Sequence, residues 1–179
     1  TGNTAWFCDE IRSCVGRIVV VNPRQFQVIR KSVNKTDKND ARALAFFLSK
    51  DMLPETRLKS AAESELNSLV ATRDVFVKQR TMLLNKIHAM FVRRGTKLKK
   101  EGLASKKRLR ELDVSQFTAL EQVELNALRN QALGLTETLA ELDKAIEAAG
   151  AKLPGHEGIS SIKGIGSRSA AILLSGIGN

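Results

Sequence analysis

Asp37 and Asp40 stand three residues apart in the stretch Lys35-Thr36-Asp37-Lys38-Asn39-Asp40-Ala41, where a helix is predicted to begin. Residues at i and i+3 share a helix face, so both carboxylates can address one point. Two carboxylates with lysines beside them are what a divalent cation over a phosphate needs. Spacing by itself favours a structural role instead, with Asp37 as N-cap and Asp40 in the first turn, where the helix dipole welcomes an acid.

Other residues able to do chemistry are few. His88 and His156 lie far apart, so no histidine triad or histidine metal site is expected. Cys8 and Cys14 lack zinc-like spacing and read as free buried thiols of a reducing cytosol. Lys and Arg number 29 against 19 Asp and Glu, and the isoelectric point is near 10.0. That balance points to a polyanion, most simply nucleic acid. A membrane is not expected: no apolar run approaches about 18 residues, and no signal peptide is visible.

The positive charge is segregated. Lys78, Arg80, Lys86, Arg93, Arg94, Lys97, Lys99, Lys100, Lys106, Lys107, Arg108 and Arg110 face only Glu101 and Glu111 between 78 and 112, a local excess of ten. Charge runs are usually solvated helix surface, but one this lopsided around a connector favours contact with a nucleic-acid backbone. Arg73 and Arg80, seven apart and in register with Leu66 and Ile87, interrupt an apolar seam. They can pair with acids such as Glu137 or Glu141, or reach a phosphate; the pattern leaves both open.

Three segments must position these residues. Segment 1–57 mixes helix and strand signals. A helix capped by Asn3 or Thr4 presents Trp6, Phe7, Ile11 and Cys14 and ends at Gly16. Ile18-Val19-Val20-Val21 fits a buried parallel strand, and Pro23 suits the start of another helix. A further helix carries Ala43, Leu44, Phe47 and Leu48 behind the acids. This is a partial α/β unit in an otherwise mainly α chain. Segment 58–150 is predicted as a long antiparallel helical hairpin of coiled-coil type. Its first arm has an apolar stripe from Leu66 to Phe91. Its second carries Leu120, Val123, Leu128, Leu135, Leu139, Leu142 and Ile146; between the arms Gly95 and Gly102 mark breaks, and a short basic helix follows at 105–112. The same seam can serve a dimer. Segment 151–179 contains Ile159-Ser160-Ser161-Ile162-Lys163-Gly164-Ile165-Gly166-Ser167-Arg168-Ser169-Ala170, the helix–hairpin–helix pattern hxxhxGhGxxxA. Gly164 and Gly166 permit a tight turn. The following helix start offers unpaired N–H groups to a phosphate, with Lys163 and Arg168 adding charge. A plain turn in a protein–protein module is the alternative. Opening on Thr1-Gly2-Asn3 and closing on Gly178-Asn179, the chain reads as a fragment of a longer protein.

Thr1-Gly2-Asn3, Val21-Asn22-Pro23-Arg24-Gln25, the Lys35–Ala41 stretch and Ile162-Lys163-Gly164-Ile165-Gly166, in this order, resemble the DEDD transposases of bacterial insertion sequences, family one-ten, relatives of the Piv and MooV invertases. The resemblance implies an RNase H-like (RuvC-like) domain whose four acids bind Mg2+. A helical hairpin and a C-terminal domain with a nucleophilic serine follow in that family. It also implies DNA recombination, a structured guide RNA, homo-oligomers through the coiled coil and a bacterial cytoplasm. Only the last two acids map here, onto Asp37 and Asp40, and Ser167, Ser169 and Ser175 do not match the serine motif. The resemblance therefore implies a catalytically incomplete piece, while the charge pattern and the terminal turn assign nucleic-acid contact to Arg93, Arg94, Lys97, Lys99, Lys100, Lys106, Lys107, Arg108, Lys163, Gly164, Gly166 and Arg168, with Arg73 and Arg80 open between that and a structural role. Two competing readings are a non-catalytic helix–hairpin–helix binding module and a coiled-coil assembly protein.

Overall fold

A computed structural model describes residues 4–22, 26, 36–98 and 100–177, with backbone alone at 100, 101 and 177. The chain divides into two compact units, Thr1–Lys59 and Ser60–Asn179.

In the first unit, α1 (Thr4–Ile11) and α2 (Asp37–Ser49) are the helices among the described residues. Several expectations are corrected here. No strand forms at Ile18–Val21: the segment is extended and half-buried, and its pairing is limited to an isolated antiparallel bridge, Val21 to Glu55, beside a Thr56 N–H to Val20 carbonyl bond of 2.7 Å. A β-branched run favours extended backbone, but without a ladder on either side it stays a single extended segment. The expected α/β unit is accordingly absent among the described residues. In α1 the buried side chain is Cys8, whereas Trp6 is 64% and Phe7 55% exposed. Helix α1 ends at Ile11, short of Gly16, and Cys14 is exposed rather than buried; both cysteines are free. In α2 Ala43, Leu44 and Phe47 are half-buried and Leu48 is exposed. Phe47 meets Phe26 edge-on at 5.1 Å between centroids. The helix expected from Pro23, the cap at Asn3, and Lys99 lie outside the described residues.

The second unit is built on α3 (Ala61–Arg93) and α6 (Ala119–Gly150). Each opens with a capping box. Ser60 and Thr118 accept from the N–H of Glu63 and Glu121, whose carboxylates return to the cap N–H at 2.7 and 2.9 Å. Gly95, with φ +75°, ends α3, and the Thr96 N–H bonds back to the Phe91 carbonyl. Arg73 meets Asp143, Arg80 meets Thr136 and Arg94 meets Glu121, so the two long helices run antiparallel within one chain. The seam is thus satisfied internally. On α6 it runs through Leu125, Ala132, Leu135, Leu139 and Ile146; Leu120 and Val123, expected in it, are 81% and 67% exposed.

Two apolar clusters form, one at each end of the pair. Ile87, Met90, Phe91, Leu125 and Ala132 pack with Leu103, Leu109 and Phe117 of the connector. Leu66, Val70 and Ile146 pack with Ala171. The connector contributes α4 (Lys100–Leu103), which sequence did not separate, and α5 (Lys106–Arg110). Beyond α6 come α7 (His156–Ser160) and α8 (Ser167–Ile177). Helix α8 buries Ala170, Ala171, Leu174 and Ser175. It approaches α6 so closely that a Cβ added at Gly150 would stand 2.1 Å from that of Ala171. Small residues on both sides are what permits this backbone contact. No helix among the described residues is long and apolar enough to cross a membrane.

Candidate functional site

The acid pair opens α2. Its N-cap is Thr36, whose Oγ1 accepts from the Asn39 N–H at 3.3 Å. This corrects the expectation that Asp37 caps the helix. Asp37 is the first helical residue and Asp40 the fourth, Asp37 exposed and Asp40 half-buried in the first turn. The capping bond is made by Thr36, so neither carboxylate is needed for it. Mg2+ is commonly bound by one or two carboxylates with waters and phosphate oxygens completing its shell, so the pair supplies at most part of one, and no group of three His, Cys, Asp or Glu forms among the described residues. The residues present do not amount to a metal site, and no chemical step follows from them alone.

The basic residues fall into two sets. Arg73, Arg80, Arg94, Lys106 and Arg168 are held by the protein itself. Arg73 Nε donates to Asp143 Oδ1 at 2.5 Å, and Arg168 Nη1 donates to Asp143 Oδ2, so one carboxylate joins α3, α6 and α8. Arg80 donates to Thr136 Oγ1 at 2.7 Å and to the Ala104 carbonyl at 2.9 Å. These two polar layers lie between the apolar clusters and fix the register of the helices, since a slip would leave half-buried guanidiniums unpaired. The partners differ from those the sequence suggested. Glu137 takes Lys106 and Arg110, each at 3.6 Å, instead of Arg73 or Arg80. Arg94 pairs with Glu121 and lies 5.9 Å from the Phe117 ring centroid.

The second set is Arg93, Lys97, Lys107, Arg108 and Lys163: all exposed, and without an ion pair to any described residue. Lys107 and Arg108 share α5 with buried Leu109, which seats the basic helix on the cluster around Ile87. At Lys99 and Lys100 no side chain is described.

In the terminal turn Gly164 has φ +97°, a conformation that glycine adopts freely. Gly166 does not, so the expected conformational need for glycine there is absent. Ile165 is half-buried and closes the turn onto the Ile162 carbonyl at 3.0 Å. Sequence reading gave His156 no role. It is buried, and its Nε2 lies 3.1 Å from the carbonyl oxygen and 3.2 Å from Oγ of Ser167, clipping α7 to the start of α8.

Residues 11–94, from the end of α1 through α3, match the family model for DEDD transposases of the IS110 type, described as a transposase. This match, over just under half of its length, makes the chain similar to the IS110-type transposases. It is 24% identical over 163 residues to the transposase for insertion sequence element IS1111A of Coxiella burnetii, covering 89% of this chain and 44% of that protein. The chain therefore spans less than half the length of that relative. No solved structure matches it.

Proposed function

We propose that this transposase chain takes part in transposition of an insertion sequence by holding nucleic acid through its phosphates. The observation that carries this reading is the set of exposed cations, Lys107 and Arg108 foremost, seated on a short helix anchored by buried Leu109. The same surface chemistry suits DNA and a structured RNA. In this reading residues 1–57 are part of the RuvC-like domain, 58–150 the hairpin with its basic connector, and 151–179 a helix–hairpin–helix contacting backbone at Lys163 and Gly164. Asp37 and Asp40 are its acids for Mg2+, the rest of the coordination coming from groups beyond this pair. Self-association is supported by Val75 and Met82, seven apart on α3 and 49% and 66% exposed.

Affinity for a labelled DNA duplex should fall steeply with salt, because each neutralised phosphate releases counterion. Replacing Lys107 and Arg108 by Gln should lower the slope of log K against log salt by about 1.8, at roughly 0.9 per phosphate contact. Affinity unchanged between low and high salt would sink the reading. The competing view of a non-catalytic binding module draws support from the same cations and from the acid pair supplying only two ligands. It parts from the first at Asp37 and Asp40.

A further inference from the structure

The basic connector and the terminal turn are far apart in sequence, yet the helix pair brings them to one flank. Arg73 and Arg80 are seven residues apart on α3, close to two full helical turns, so they share a stripe with Leu66 and Ile87. Asp143 and Thr136 have the same separation on α6. The contacts Arg73–Asp143 and Arg80–Thr136 therefore present the same side of the pair at two successive levels. At the first level the element reaching in is α8, through Arg168 on Asp143. At the second it is the α4–α5 turn, through the Ala104 carbonyl on Arg80. The ends of the stripe agree: Leu66 is covered by Ala171 of α8, and Ile87 packs in one cluster with Leu103 and Leu109 of the connector.

Charge follows this placement. Helix α5 sets four cations against the one carboxylate of Glu137. At the other level Asp143 takes two guanidiniums, of which Arg73 is largely covered and Arg168 keeps 43% of its side chain exposed. From the level of Arg73 to that of Ile87 is about 21 Å, at roughly 1.5 Å per residue. A B-form turn is about 34–36 Å, so this flank fits within one turn of a duplex.

We propose that α5 and the start of α8 form one continuous phosphate-binding flank that engages a single nucleic-acid duplex, with Arg168 and the pair Lys107 and Arg108 on the same backbone. The proposal rests on the phosphate-binding reading above and sharpens it from several basic elements to one surface. The ligand chemistry is the phosphodiester backbone, and DNA or RNA can supply it.

The experiment titrates the 179-residue chain with a 12-base-pair DNA duplex and, separately, an RNA duplex of equal length. Stoichiometry and salt slope are measured for the parent, Arg168→Gln, Lys107→Gln with Arg108→Gln, and the triple variant, with folding checked by circular dichroism. One duplex per chain is expected. In the arm that identifies the backbone source, the slope falls by about 0.9 for Arg168→Gln, 1.8 for the double and 2.7 for the triple. Arg168→Lys keeps a cation in place should the Gln variant unfold, and it retains the parent slope. Two duplexes per chain, or a triple variant no flatter than the double in both arms, overturns the single flank while phosphate binding itself stands. A parent without salt-dependent binding overturns the underlying reading as well.

Discussion

Single side chains decide whether a charged residue belongs to the fold or to a ligand. Arg73 is four-fifths covered and held by Asp143, which makes it structural, whereas Lys107 and Arg108 are exposed and carry no ion pair to a described residue. Asp37 is exposed and Asp40 half-buried on a helix capped by their neighbour Thr36, and neither carboxylate makes the cap bond. Exposed substitutions away from caps and cores are nearly neutral for stability, within about 0.5 kcal/mol. Asp37→Asn and Asp40→Asn should therefore lower the thermal midpoint only slightly, each losing at most the roughly 0.3–1 kcal/mol of an acid at a helix start. On the proposed role as metal ligands, each substitution should abolish recombination by a transposase that carries this segment, scored by excision of a marked element. Normal excision in both variants would remove these acids from catalysis. The acid pair was legible in sequence, because its spacing is local. Its cap was not, since Asp37 and Thr36 are both good N-cap types and only the backbone turn decides between them.

Elements show where local pattern and tertiary packing part company. The glycines of the terminal turn look equivalent in sequence, yet only Gly164 sits at positive φ. Gly164→Ala should cost about 1–2 kcal/mol by forcing an L-residue into the left-handed region. Gly166→Ala, with nothing within 4 Å of the added Cβ, should cost far less; paired denaturant titrations measure the difference. The start of α6 carries a pH dependence. Glu121 is held below the usual carboxylate range, first by the Thr118 N–H and then by Arg94. Its folded pKa lies under its unfolded one, so its contribution is complete above the unfolded value and is lost as pH falls through the folded one. Helix content should hold on acidification to about pH 4.5 and decline below it. Glu121→Gln should blunt that decline in circular dichroism.

At the scale of the whole molecule, the contiguous apolar cores described lie in the second unit, Ser60–Asn179, and among the described residues of the first the buried apolar side chains are Cys8 and Phe26. Residues 60–179 produced alone should retain cooperative thermal unfolding and the parent's salt slope for a duplex. Loss of either would show that the first unit is needed for that fold or that surface. The sequence by itself determined the long helices, the basic connector and the glycine turn, because periodicity, charge and turn chemistry act within a few residues. It misassigned Trp6, Phe7, Leu120 and Val123 to buried faces, because an apolar residue at helical spacing says nothing about whether another element covers it. The β-branched run Ile18–Val21 became an extended segment with one bridge instead of a strand, for a related reason: strand formation needs a partner ladder, which propensity cannot supply. Only the tertiary structure decided which arginines are tied to other elements of the protein and which elements they tie. Those facts depend on Asp143, Thr136 and Ala104, residues 24 to 70 positions from the arginines they hold, brought close by the antiparallel register of two helices.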